Sequence, residues 1–166
     1  LDNNFKKDLD KAVKDFNVVK PLIEKWLDCK LTNIEDSKND KLKSLDLHNG
    51  IDVILEKDNK IFGCAFRICY QDYNTFTIRK SRSTGSQTEF KKRKEQISDN
   101  ELYPKFTFQV YITPDYIKIA VVNTKDLYNM IDENTPFRYN NSDNNGFYYI
   151  NFEKLNIKPK IYNSVI

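Results

Sequence analysis

From Gly50 onward the chain carries three strand-length runs in close succession, residues 51–56, 61–70 and 73–80, separated by turns too short to hold a helix. Such turns imply antiparallel pairing and exclude a sheet built only of parallel crossovers, each of which needs a dozen or more residues. Lys57 to Lys60 is predicted as a hairpin turn between the first two runs. Lys105 to Ile112 and Tyr116 to Asn123 form a second hairpin around Pro114-Asp115, and Phe147 to Phe152 is a last strand after Asn145-Gly146.

Helical spacing appears elsewhere. Phe5, Leu9, Ala12, Val13 and Phe16 recur on one face, which predicts a helix over Asn4 to Phe16. Pro21 suits the first turn of a second helix, whose stripe of Leu22, Ile23, Trp26 and Leu27 ends near Cys29. Thr32 to Lys43 is polar without a period and reads as a loop, while short helices are expected over Gln87 to Ile97 and Lys125 to Ile131. The fold expected is therefore α+β: a mixed, mainly antiparallel central sheet, N-terminal helices, and a short basic helix after the third strand.

The 166 residues suit one domain spanning 1–166, with no second core required. The sequence does not begin with Met, so an origin in a longer chain stays open. Cys29, Cys64 and Cys69 are odd in number and contain no C-x-x-C pair, which argues against a disulfide frame or zinc site and for reduced, packed thiols. No apolar stretch is long enough to span a bilayer, and the amino terminus lacks a signal-peptide core, so a cytoplasmic protein with no membrane partner is expected.

Net charge is +3, but Arg79 to Lys94 holds seven basic residues against the single acid Glu89, leaving −3 for the rest. The basic residues are Arg79, Lys80, Arg82, Lys91, Lys92, Arg93 and Lys94. Between them, Ser81 to Glu89 joins a strand to a helix through a hydroxyl-rich turn with one glycine, of a kind whose amides can cradle phosphate. The same Ser86 or Thr88 can instead serve only as a helix cap. Four consecutive cations with no Leu or Trp stripe favour nucleic acid over membrane as the partner, with a protein partner as the alternative.

Alternation puts Ala65, Arg67 and Cys69 on one face of their strand and Phe62, Cys64, Phe66 and Ile68 on the other. Thr75, Thr77 and Arg79 share a face of the next strand, and Thr107, Gln109 and Tyr111 share one of the fourth. If these faces coincide, they line a site rich in arginine, whose fork binds phosphate bidentately; otherwise they are the solvated side of an antiparallel sheet. Arg67 and Arg79 are accordingly expected on neighbouring strands with side chains on one face. Tyr73 and Tyr111 are the candidates for stacking on bases. His48, the sole histidine, excludes a two-histidine metal site.

Asp52 follows Leu47-His48-Asn49-Gly50-Ile51, where a strand leaves a glycine turn. An N-terminal helix, a strand carrying Gly50-Ile51-Asp52, a hairpin, and key positions thirteen and fifteen residues beyond Asp52 together resemble the core of the PD-(D/E)xK nucleases, the restriction-endonuclease-like superfamily. The resemblance covers roughly Pro21 to Ile112. The family pattern has a carboxylate and a lysine at the end of that hairpin, where this chain has Ala65 and Arg67.

What the resemblance implies is magnesium-dependent endonuclease chemistry, with Asp52 as a metal ligand and Glu89, on the neighbouring helix, as a migrated second acid. Glu24 is a further acid in the N-terminal region. In that reading Asp52, Glu89 and Arg67 are catalytic, Arg67 and Arg79 stabilise phosphoryl charge, and Arg79, Arg82, Lys91, Lys92, Arg93, Lys94 and Gln109 contact nucleic acid. The alternative keeps a non-catalytic nucleic-acid-binding or protein-interaction module, with Glu89 a helix-start carboxylate and Asp52 a turn residue.

Overall fold

A computed structural model describes residues 3–81, 88–139 and 145–165. It shows an α+β fold with two sheets. Helix α1 (Asn3–Leu27) leads into β1 (Lys30–Asn33), α2 (Asp40–Asn49), β2 (Val53–Lys57), β3 (Lys60–Cys69) and β4 (Thr75–Ser81). Next come α3 (Glu89–Ser98), β5 (Phe106–Ile112), β6 (Tyr116–Asn123), α4 (Thr124–Asn129), β7 (Phe137–Tyr139), β8 (Gly146–Asn151) and β9 (Lys160–Val165). The large sheet has the order β1-β2-β3-β5-β6-β9 and the small one β4-β8-β7. Every pair is antiparallel except β3 with β5, whose crossover contains α3.

Two cores follow from alternation. Phe16, Val19 and Ile23 of α1 pack on Val53, Leu55, Cys64, Phe108 and Val110 from one face of the large sheet. The opposite face supplies Tyr111, Ala120 and Val122 to a second core with Phe76, Ile78, Tyr148 and Ile150 of the small sheet and Leu127 of α4. Cys64 is buried and its thiol is raised by that burial, in keeping with a packed, unreactive residue.

The two N-terminal helices expected from Pro21 are one, because α1 runs through it. A proline inside a helix costs about 3 kcal/mol. Val19 and Ile23, both fully buried on either side of Pro21, each contribute about 1.5–3 kcal/mol and hold the turns in line. The loop expected over Thr32 to Lys43 is also corrected. It contains the end of β1 and the start of α2, whose Asn39 cap accepts from the Lys41 amide at 3.0 Å and whose end is marked by Gly50 at φ 66°.

The hairpin between β2 and β3 is as expected, with Asp58 and Asn59 both at positive φ in a two-residue turn. The next connection is not a hairpin. Asp72 accepts from the Asn74 amide at 2.7 Å, Tyr116 Oη at 2.8 Å and Lys118 Nζ at 2.7 Å, tying the link to β6 and steering the chain into the small sheet. The place beside β3 goes to β5, where Phe66 stacks on Phe108 with ring centroids 4.4 Å apart. Arg67 and Arg79 therefore belong to different sheets, contrary to the expectation of neighbouring strands.

Candidate functional site

Asp52 sits where α2 hands over to β2. Val53 opposite Cys64 is the last rung between β2 and β3, so the next amide along β3, that of Phe66, has no strand to bond. The Asp52 side chain takes that rung instead: its Oδ2 accepts from the Phe66 amide at 2.7 Å. Its own amide donates to the Cys64 carbonyl at 2.9 Å, which fixes the carboxylate at the large sheet's margin. Burial pushes the Asp52 carboxyl up to about 7, against the pull of the Phe66 amide. The Asp46 carboxyl of α2, within hydrogen-bonding reach, and the negative charge of Glu89 push in the same upward direction.

Glu89 is the first residue of α3, directly after Thr88, the helix cap, whose Oγ1 accepts from the Lys91 amide at 3.4 Å. Glu89 Oε2 accepts from Arg67 Nη2 at 2.5 Å and from the Arg79 amide at 3.1 Å. About a quarter of each side chain in the Arg67–Glu89 pair is exposed. Burial works against the Arg67 charge, but Glu89 together with Cys69, Tyr128 and Asp52 outweighs it, so the guanidinium is held protonated. Both Arg67 and Arg79 lie 5.4 Å from the Phe147 ring centroid. The two sheets thus deliver their arginines to one place, at the start of α3. Asp52, Glu89, Arg67, Arg79, Thr77 and Thr107 line a common cleft of about 240 Å³.

Several residues predicted to contact nucleic acid have structural duties. Gln109 is buried, and its Oε1 accepts from the Thr77 amide and Thr77 Oγ1, both at 3.2 Å. Together with Tyr111 Oη, which takes the Thr75 amide at 3.4 Å, and Glu89, it supplies side-chain partners to alternate amides along the edge of β4. Tyr111 is fully buried and cannot stack on a base. We expect Gln109→Leu to lower stability by roughly 1–3 kcal/mol in urea titrations, because the buried Thr77 amide then loses its partner.

Arg93 is likewise buried. Its Nη1 donates to the Asn49 carbonyl at 2.6 Å and to Gln96 Oε1 at 2.7 Å, while Nη2 reaches the Gly50 carbonyl at 3.5 Å. It caps the C-terminus of α2, where a cation complements the helix dipole. Along α3, Lys91 is exposed, Lys92 half-buried, and Lys94 Nζ lies 3.4 Å from the Tyr128 carbonyl. Arg82 and most of the turn from Ser81 to Glu89 lie outside the described residues. Glu24 accepts from the Leu31 amide at 2.9 Å, serving β1. The His48 carbonyl accepts from Gln96 Nε2 at 3.3 Å.

Asp46 is the residue of the site that the sequence did not single out. Its signal is the spacing from Asn39 to Gly50, a helix cap and a C-terminal glycine that together put Asp46 on the last turn before Asp52. Among the described residues, no group of three or more His, Cys, Asp or Glu side chains is arranged to hold a metal ion. Two carboxylates, Asp52 and Glu89, line one polar cleft, and the charge of Glu89 adds to the upward push on Asp52. Carboxylate oxygens are the donors that hard, hydrated cations take, whereas softer metals take imidazole or thiolate. Among the described residues no helix is long and apolar enough to cross a membrane. No family model, no curated protein and no solved structure matches the chain.

Proposed function

We propose that this domain binds nucleic acid and hydrolyses its phosphodiester bonds with the help of magnesium, in the manner of the restriction-endonuclease-like nucleases its sequence resembles. The observation that supports it most is the meeting of Asp52 and Glu89, from separate elements, in a cleft also lined by Arg67 and Arg79. A buried carboxylate pushed up to about 7, with two further acids adding to the push, marks a place where positive charge is in demand. Magnesium, held by one or two carboxylates with most of its waters retained, would neutralise phosphoryl charge there and ease ionisation of the attacking water.

The protein's own groups then have separate tasks. Asp52 and Glu89 would hold the cation. Arg67, engaged by Glu89 through Nη2, keeps a planar fork at the cleft and stabilises charge on the phosphoryl oxygens. Arg79 and Lys91 draw the backbone in. Hydrolysis adds water across the P–O bond: oxygen bonds to phosphorus and the departing oxygen takes a proton. A second, non-catalytic binding reading is favoured by Ala65 and by the Arg67–Glu89 ion pair, which competes with a cation for Glu89.

Incubation of labelled DNA and RNA with wild type and with Asp52→Asn, in magnesium or in chelator, separates the readings. Cleavage that needs both Asp52 and the cation supports hydrolysis; binding without cleavage under any condition selects the binding module. Absence of binding to every nucleic acid at low salt rejects both. For the electrostatic part, Arg79→Ala with Lys91→Ala should weaken binding and lower the slope of log affinity against log salt by about 1 for each phosphate left without its cation.

A further inference from the structure

We infer that the outer face of the small sheet is a stacking platform for a single-stranded segment, and that it delivers this strand to the Asp52–Glu89 cleft. The inference rests on the phosphodiester reading and names its substrate form. Alternation divides β8: Tyr148 and Ile150 enter the core, whereas Phe147, Tyr149 and Asn151 face the other way. On that outer face Tyr149 lies opposite Thr77, and Phe147 lies opposite Arg79 on one side and Arg138 on the other. Thr77, Arg138, Phe147, Tyr149 and Asn151 border a groove of about 740 Å³ that shares Arg67 and Thr77 with the Asp52–Glu89 cleft, which Arg79 lines. The two spaces are therefore adjoining.

The chemistry of the groove selects its occupant. Tyr73 is 48% exposed, and its ring stands edge-to-face with that of Tyr149 at 6.2 Å, so two aromatic surfaces border the same space. The Arg67 and Arg79 guanidinium groups each lie 5.4 Å from the Phe147 ring centroid. Among the described residues, the charged groups lining the groove are Arg67, Arg138 and Lys154; no Asp or Glu lines it, and Glu89, the partner of Arg67, belongs to the adjoining cleft. Aromatic rings beside cations and threonine hydroxyls suit a polyanion that carries flat rings, and not an apolar peptide or a lipid tail. Bases in a duplex have both π-faces occupied by their neighbours, so only unpaired bases can use such a platform.

The test is fluorescence anisotropy with labelled oligothymidine of about 12 nucleotides, its ribose counterpart, and a duplex of the same length. The expected result is tighter binding of single strands than of duplex. Tyr73→Ala and Tyr149→Ala should each lower single-strand affinity by about five- to 150-fold. Tyr149→Phe should keep it, and duplex affinity should not move. Comparing the deoxyribose and ribose strands tells which nucleic acid is preferred. Thermal melts check that the variants fold, and the exposed Tyr73 gives the safer substitution. Equal affinity for single strand and duplex, or alanine variants that bind single strands like wild type, overturns the platform. Duplex-only cleavage that depends on Asp52 overturns the platform while leaving the phosphodiester reading in place. No binding of any of the three probes overturns both.

Discussion

Asp52→Asn is expected to abolish magnesium-dependent cleavage and, at the same time, to make the metal-free protein more stable at pH 8. The cation's contribution to charge stabilisation is worth several kcal/mol, so the loss in rate should be about a thousandfold or greater. The gain in stability comes from the Asp52 carboxyl, raised from 3.8 to about 7 by burial first and by Asp46 and Glu89 after it. Between those values the folded chain holds a proton that the unfolded chain has released. Stability therefore falls as pH rises through that window, and the full penalty is present above it.

Asparagine has no charge to desolvate. It can still accept from the Phe66 amide, and its own N–H group can donate to Asp46, replacing a repulsion with a hydrogen bond. The variant should be more stable than wild type by roughly 2–4 kcal/mol at pH 8 and close to it near pH 4. Thermal melts in chelator at both values measure this. Magnesium should raise the melting temperature of wild type at pH 8 and leave that of Asp52→Asn unchanged. A variant less stable than wild type at pH 8 would show that Asp52 is a structural acceptor and no more.

Arg93→Ala should be among the most damaging substitutions in α3, although it sits in a run of less buried lysines. It removes a buried cation that serves Asn49, Gly50 and Gln96 together, leaving the end of α2 without its cap. Hydrogen bonds to charged groups contribute about 1.5–3 kcal/mol each but are not additive here, so a loss of roughly 2–4 kcal/mol is expected in urea unfolding. Arg93→Lys should recover little, because a single ammonium cannot span both carbonyls and Gln96. The salt dependence of nucleic-acid binding should keep its slope in whatever fraction stays folded. A stable Arg93→Ala protein with a reduced slope would return Arg93 to the binding surface.

That contrast shows how far local pattern reaches. The α+β class, the β2–β3 hairpin and the two faces of β3 are legible, because period-2 alternation and a two-residue turn are local signals. The meeting of Arg67, Arg79 and the start of α3 is legible only in part: the side chains do come together, but the pairing of β3 with β5 is decided by aromatic contacts far apart in the chain. Arg93 is misplaced because a run of four cations hides its own period. Phe90, Arg93 and Ile97 fall at helical spacing, so Arg93 belongs to the inward stripe. Gln109 and Tyr111 look like lining because their polar atoms are visible in sequence, whereas the amides of β4 that use them are not.

Those side-chain partners along β4 also bear on how molecules of this protein meet one another at high concentration. A strand at the margin of a sheet is a template on which a foreign strand can add, and from there fibres grow. Along this margin the amides of Thr75, Thr77 and Arg79 are already satisfied by Tyr111, Gln109 and Glu89, so the template has been used up from within. One of the three guards, Glu89, is also one of the two acids of the cleft. Altering Glu89 therefore reaches past chemistry to colloidal behaviour, by reopening one position on a surface where self-assembly can begin.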